Sequence, residues 1–334
     1  MIYRLLVPAA VLLSTLVATT PASAVTSAEL FRSTGEGYGK FEARIRYAVG
    51  DGIVSSFFLW KDRSEQPDIY WNELDFEKLG ANCRLQTNSI YGLPERNHEA
   101  HHRELEGLCD GYHTYTYIWT PDYIAWLVDG VELRRDTGAH AKTYSENATA
   151  DGLQMRFNVW PGNASFGGNF SESSLPAYQY IDWAQYASYT PGAGDDGSDF
   201  TLKWREDFDK KPSEWSTGSW ESPLGRSTHH SRNISFIDGI AVLALTAEPT
   251  AYAGTPPQDG EVDGDGGASN GMGDEPGMSP SGGAAQGPVL LADRGGCVYG
   301  AMPAPLSGGS LIAYVSICLL VFMRRPRRWA ARRV

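Results

Sequence analysis

The chain has 334 residues, 42% of them apolar, 20% charged and 12% aromatic, with four cysteines. That composition excludes a wholly disordered chain and a disulfide-stapled small fold, and the absence of repeated 20-residue apolar runs excludes a multi-span membrane protein. The formal charge of −12 argues against a nucleic-acid partner, because phosphate binding needs a basic face, and leaves neutral ligands open.

At the N-terminus Arg4 precedes the apolar run Leu5–Ala18 and then Pro21-Ala22-Ser23-Ala24. A charged start, a short apolar stretch and a small-residue cleavage site predict a signal peptide over 1–24, and so secretion. Residues 25–247 then read as one all-β domain. Runs with alternating or β-rich character occupy Gly39–Tyr47, Ile53–Trp60, Tyr70–Leu79, Arg84–Tyr91, Tyr112–Trp119, Tyr123–Val128, Leu153–Trp160, Tyr178–Tyr189 and Ser231–Thr246. Asp129-Gly130 and Asp238-Gly239 each sit between such runs as hairpin signals. No helical period persists beyond about two turns. Many short strands in one domain favour a β-sandwich of the jelly-roll kind over a parallel α/β fold. Nine tryptophans fall inside this segment. Many must be core, and the rest suit a sugar cleft, where flat rings meet the apolar faces of pyranose units.

Glu73-Leu74-Asp75-Phe76-Glu77 alternates acid and apolar residues without a break. With a period of two, all three acids leave one face of a strand while Leu74 and Phe76 enter the core. A solvated outer face is the ordinary fate of such a pattern. Three like charges in a row, however, repel one another and gain nothing for stability. Glycoside hydrolysis with retention needs two carboxyls about 5–5.5 Å apart, one a nucleophile and one a proton donor. Cα atoms four residues apart in a strand are separated by about 13 Å, a gap that inward-leaning side chains on a curved sheet can close. Asp75 between them can help keep one glutamate ionised and the other protonated.

Glu73-Leu74-Asp75-Phe76-Glu77-Lys78-Leu79-Gly80 resembles the signature of glycoside hydrolase family 16, in the form typical of lichenases, the β-1,3-1,4-glucanases. Similar pieces follow in family order: Tyr38–Arg44, Gly52–Phe58, Gln86-Thr87-Asn88, His113-Thr114-Tyr115, Trp126–Gly130, Arg156–Trp160 and Ile181-Asp182-Trp183. The resemblance implies two curved antiparallel sheets with a concave substrate cleft and retaining hydrolysis of mixed-linkage β-glucan. It makes Glu73 the nucleophile, Glu77 the acid/base and Asp75 the auxiliary carboxylate. It further implies glucan contacts from Glu29, Phe58, Trp60, Gln86, Asn88, Glu99, Arg156, Asn158, Trp160, Trp220 and Arg226. Where the family pattern carries another tryptophan, this chain has Phe166, a smaller sugar platform. A structural calcium is implied at Asp182, Asp207 and the carbonyl of Gly239, with no cofactor for catalysis. The stretch Asp199–Thr246 resembles the part that normally precedes Tyr38-Gly39. Its position after Pro191-Gly192 is similar to circularly permuted lichenases, with the junction near 191–198. The alternative readings are a laminarinase-like β-1,3-glucanase and a non-catalytic β-glucan-binding protein. A monomer is expected.

His98-Glu99-Ala100-His101-His102 satisfies the H-E-x-x-H zinc pattern, which works only on a helix. Flanked by strand signals, with Gly92 and Pro94 just upstream, it reads instead as a polar loop or edge strand. Cys83 and Cys109 share an oxidising compartment. In a simple hairpin of 84–91 with 112–119 they would lie too far apart to bond, and an intervening strand within 98–108 could change that. Residues 248–296, rich in Gly, Pro and acids, read as a flexible spacer. Residues 297–334 place Cys297 before the apolar run Leu311–Met323 and an arginine cluster. This resembles the tripartite sorting tags of bacterial surface proteins; the alternative is a plain membrane anchor. Either would retain the domain at the bacterial cell surface or outer envelope, with sorting machinery or the membrane as a further partner.

Overall fold

The computed structural model describes residues 25–258, apart from 147, 149 and 150. The expected signal peptide, the part of the expected 248–296 spacer from residue 259 onward and the tail with Cys297 lie outside the described residues. Among the described residues, no helix is long and apolar enough to cross a membrane. In chain order the elements are β1 (Thr26–Arg32), β2 (Gly39–Arg46), β3 (Ile53–Trp60), β4 (Trp71–Leu79), β5 (Arg84–Gly92), β6 (Asn97–Glu104), β7 (His113–Trp119), β8 (Tyr123–Val128) and β9 (Val131–Thr137). The helix α1 (Gly138–Glu146) follows, then β10 (Gln154–Pro161), β11 (Ala177–Tyr189), β12 (Phe200–Glu206), β13 (Trp215–Thr217), β14 (Thr228–His229), β15 (Ile234–Ile237) and β16 (Ile240–Leu245).

Two sheets form the expected sandwich. One runs β13-β1-β10-β3-β4-β5-β6, with β14 beside β1; the other runs β15-β16-β11-β2-β7-β8-β9, with β12 beside β11. The β14–β1 pair is parallel, and the ladders that build the body of each sheet are antiparallel. Strand alternation supplies the core. Phe41, Ala43 and Ile45 of β2 and Leu74 and Phe76 of β4 are fully buried between the sheets. Phe57 stacks on Phe157 with ring centroids 5.1 Å apart and meets Tyr117 edge-on at 4.9 Å.

The second sheet also fixes the backbone of β4. The Tyr117 hydroxyl donates to the carbonyls of Phe57 at 2.7 Å and Leu74 at 3.1 Å, and the Trp126 indole donates to that of Asp75 at 3.2 Å. Asp129-Gly130 joins β8 to β9 and Asp238-Gly239 joins β15 to β16, both pairs with positive φ (48° and 76°, 51° and 77°). That is the twist a two-residue hairpin requires.

The apolar periodicity did not reveal α1, β6 or β9, nor β1 and β12 to β14. Helix α1 is short and buries only Ala141, Tyr144 and Ser145. Strand β9 is half charged, and β6 is exposed along its whole length. Strand β6 is the intervening strand on which the cysteine pairing depended. It brings the ends of the 83–109 loop together, and Cys83 and Cys109 form a disulfide with Cα atoms 5.5 Å apart. After β16 the chain stays on the domain through residue 252. Thr250 N–H donates to Asn233 and Tyr252 N–H to Ser235, and the Tyr252 ring packs against Tyr178 and Tyr180 at 4.8 and 5.8 Å.

Candidate active site

Strand β4 lies inside its sheet, so its alternation decides where the acids go. Because Leu74 and Phe76 face the second sheet, Glu73, Asp75 and Glu77 project together from the opposite face. The registers extend that face into three rows. Glu73 stands between Trp60 and Ile90, Asp75 between Phe58 and Asn88, and Glu77 between Ser56 and Gln86. On one side, Arg156 pairs with Phe58, Asn158 with Ser56, and Glu29 with Asn158. On the other, His98, Ala100 and His102 of β6 continue the rows past Ile90, Asn88 and Gln86.

The two glutamates have different partners. The Trp71 indole donates to Glu73 Oε2 at 2.8 Å, and Gln86 Nε2 donates to Glu77 Oε2 at 2.5 Å. Burial pushes Glu73 up to about 7, with the Trp71 N–H and a hydrogen bond from Asp75 pulling it back. Burial and the two flanking glutamate charges raise Asp75 well above the usual carboxylate range, so it keeps its proton and can donate to Glu73. Burial and the Glu73 charge push Glu77 up to about 8. Near neutrality Glu73 is therefore the first to ionise and Glu77 the one that stays protonated.

The neighbouring strands build a polar floor with an aromatic wall. Arg156 Nη1 donates to Glu29 Oε1 at 2.8 Å, and the guanidinium lies 4.5 Å from the Phe31 ring, 5.7 Å from Trp60 and 5.8 Å from Trp220. Trp220, 41% exposed, donates from its indole to Glu29 Oε2 at 3.3 Å. Burial raises the Glu29 carboxyl despite the arginine beside it. Behind it sits His229, whose imidazole is pushed down to about 3 by burial. Ser227 Oγ lies 2.8 Å from both Ser27 Oγ and Ser222 Oγ, and Ser27 Oγ lies 2.9 Å from His229 Nδ1. The other imidazole nitrogen, His229 Nε2, lies 3.4 Å from Glu29 Oε2. On the floor, the buried atoms Asn88 Oδ1, Asn158 Oδ1 and Ser56 Oγ have no hydrogen-bond partner. Buried polar atoms are nearly always satisfied, and a hydroxyl-rich ligand over these rows would satisfy all three.

The structure therefore brings Glu29, Phe58, Trp60, Gln86, Asn88, Arg156, Asn158 and Trp220 to the face of the three acids. Other expected contacts are placed differently. Glu99 pairs with Ser89, and alternation turns it to the opposite face of the sheet, where its carboxylate lies 3.1 Å from His140 Nδ1. Trp160 reaches the row of Val54 but is only 2% exposed, because Phe166 stacks nearly parallel on it at 5.8 Å. The outer ring there is Phe166. Arg226 donates to the Gly162 carbonyl at 2.5 Å, bracing that loop. Sequence reasoning overlooked Trp71 and Phe31, although each lies two residues from an expected site residue and so on the same face. It overlooked His229 as well, which reaches Glu29 only through the parallel β14–β1 pairing.

No group of three acid, histidine or cysteine side chains that could hold a metal occurs among the described residues. The residues of the expected calcium set lie on adjoining stretches of the second sheet. Asp182 follows Ile181, which pairs with Ala241 just past the Gly239 turn, and Asp207 follows Glu206, which pairs with Ala184. A Cβ at Gly239 would lie 3.5 Å from the Asp207 carbonyl oxygen. Carboxylate and carbonyl oxygens are the donor types that calcium selects. Arg44 at 2.6 Å from Asp182 and Arg205 at 2.7 Å from Asp207 are the competing cations.

Comparison with known proteins places the chain in a class. The model of glycosyl hydrolases family 16 matches residues 13–185. A β-glucanase of Fibrobacter succinogenes is 39% identical over 242 residues, covering 70% of this chain and 68% of that protein. A β-glucanase of Paenibacillus polymyxa is 32% identical over 173 residues, covering 51% of this chain and 68% of that protein. Among solved structures, a Bacillus licheniformis β-glucanase matches with 28% identity and a TM-score of 0.39, over 46% of this chain and 68% of its own. The chain belongs to glycosyl hydrolases family 16, and is by that membership a glycoside hydrolase.

Proposed function

We propose that the protein is an endo-β-glucanase that hydrolyses mixed-linkage β-1,3-1,4-glucan with retention of configuration. The observation that carries this reading is the arrangement of the acids. Glu73, Asp75 and Glu77 share one face, with an indole N–H on the first and an amide N–H on the last. In the first step a Glu73 oxygen forms a bond to the anomeric carbon, the bond from that carbon to the glycosidic oxygen breaks, and Glu77 gives its proton to the departing oxygen. In the second, water gives a proton back to Glu77 and its oxygen to the anomeric carbon, releasing Glu73 as a carboxylate. Asp75, holding its proton, donates to Glu73 and steadies it in the ionised state between steps.

Glucan as the substrate is supported by the floor of unpartnered polar atoms and by Trp60, Phe58 and Trp220 beside it. The two β-glucanase relatives point the same way. Phe166 as the outer ring over Trp160 is the feature that bears on linkage, since it narrows one sugar platform. Circular permutation rests on the order of the matching segments in the sequence. The connection over 190–199 fits a closed junction, because it joins the antiparallel neighbours β11 and β12. Secretion and surface retention rest on the terminal sequences alone. A structural calcium at the Asp182–Asp207–Gly239 corner completes the proposal.

The decisive experiment digests lichenan, laminarin and xyloglucan in parallel and follows the anomeric configuration of the first product by NMR. Lichenan cleavage to a β-anomer, abolished in Glu73→Gln, is the expected result. Preference for laminarin would move the assignment to a β-1,3-glucanase. Binding without release of reducing ends would make the protein a glucan-binding one.

A further inference from the structure

The histidine-rich segment 98–102 resolves into two faces. Glu99 and His101 turn to the back of the sheet, where His101 Nε2 lies 3.4 Å from Glu99 and Glu99 meets His140. His98, Ala100 and His102 turn to the front. There each completes a row that begins at a catalytic acid: Glu73–Ile90–His98, Asp75–Asn88–Ala100 and Glu77–Gln86–His102. Edge strands need polar side chains to resist pairing with other chains, and charged residues on both faces would serve that purpose equally well. The front face of β6 carries something more specific, two imidazoles flanking a single methyl group.

From this geometry we propose that His98, Ala100 and His102 form an additional glucosyl subsite, two strands away from the bond that is cut. The proposal rests on the glucanase reading above. Strands lie about 4.8 Å apart, so β6 is about 10 Å from β4, roughly two sugar units along a chain crossing the strands. Along β6, Cα atoms of residues 98 and 102 are about 13 Å apart. A pyranose ring fits over Ala100 with an imidazole at either edge to exchange hydrogen bonds with its hydroxyls. Partial desolvation against the sheet and the nearby Arg96 charge lower the His98 pKa, and partial desolvation with Arg84 and His101 lowers that of His102. Both rings are therefore neutral at neutral pH, each with one donor and one acceptor, as a hydroxyl requires. The rim above is closed by Arg96, stacked 3.6 Å over the Trp71 ring.

The test compares wild type with the double variant His98→Ala/His102→Ala on mixed-linkage tetrasaccharide and octasaccharide labelled at the reducing end. The expected result is about a fivefold loss of kcat/KM on the octasaccharide, the size of one or two lost hydrogen bonds. It should appear as raised KM with kcat unchanged. Cleavage of the tetrasaccharide through positions that avoid β6 should be unaffected, and the label shows on which side of the cut the subsite lies. His98→Asn/His102→Gln should restore most of the loss. His101→Ala, on the back face, should change neither substrate. These side chains are exposed, so unfolding temperatures should match. Equal octasaccharide KM in wild type and double variant would overturn the subsite, whereas a wild type that cleaves neither oligosaccharide would instead overturn the glucanase reading.

Discussion

At the scale of single residues, the chemistry depends on keeping Glu73 ionised while Glu77 holds its proton. With Glu73 near 7 and Glu77 near 8, kcat/KM should rise with pH as Glu73 ionises and fall as Glu77 loses its proton, a narrow bell read from a pH–rate profile. The apparent values belong to the coupled trio. Trp71→Phe removes the N–H that favours ionised Glu73, so the acid limb should move to higher pH while the alkaline limb stays. Lys78 is a different case. Only 1% exposed, with its ammonium donating to the Gly80 carbonyl, it is pushed down to about 8 by burial. Its folded pKa lies below its unfolded one, so the folded state binds fewer protons above pH 8. The penalty is full below pH 8 and fades as pH rises toward 10.5. Lys78→Met should raise stability at pH 7 by an amount on the order of 3 kcal/mol, measured by urea denaturation, with little gain at pH 10. The three acids could be found in the sequence because strict alternation fixes their common face. Trp71 obeys the same rule and was missed only because an isolated tryptophan reads as core.

At the scale of elements, alternation gave reliable strands where one face is apolar and failed where neither is. Strand β4 and strand β3 were legible from their apolar positions; β6 was not, since all eight of its residues are exposed. Its place is set by partners instead. Arg134, buried on β9, donates to the carbonyls of Thr87 at 3.2 Å and Glu99 at 2.7 Å and pairs with Asp136 at 2.6 Å, clamping the edges of both sheets together. Arg134→Met leaves the buried Asp136 with only His140, 3.1 Å away, and should cost about 3 kcal/mol, seen as a lowered unfolding midpoint. The Cys83–Cys109 bond closes the same edge across 26 residues. Replacing both cysteines with serine should cost about 3 kcal/mol by loop entropy. The cleft edge would loosen before the core, so hydrogen exchange should quicken first in 84–104.

At the scale of the whole molecule, the sandwich and the two-residue hairpins followed from strand spacing. The pairing order of the sixteen strands among the described residues did not, because nothing local in the sequence says which strands will be neighbours. If 190–199 is a junction of former termini, a protease site inserted there should be cut with activity retained, since β11 and β12 remain joined by their ladder. Adding EDTA should lower the unfolding temperature and excess calcium should restore it, if the oxygen corner near Gly239 holds the ion. The segment around Tyr252 has a consequence for orientation. Its ring rests on Tyr178 and Tyr180, whose neighbours Ala177, Gln179 and Ile181 point inward, so it fastens to the rear of the sandwich. A bead or surface gripping the protein just past residue 258 would hold it by its back, with the working mouth turned outward and free for a long polymer to pass.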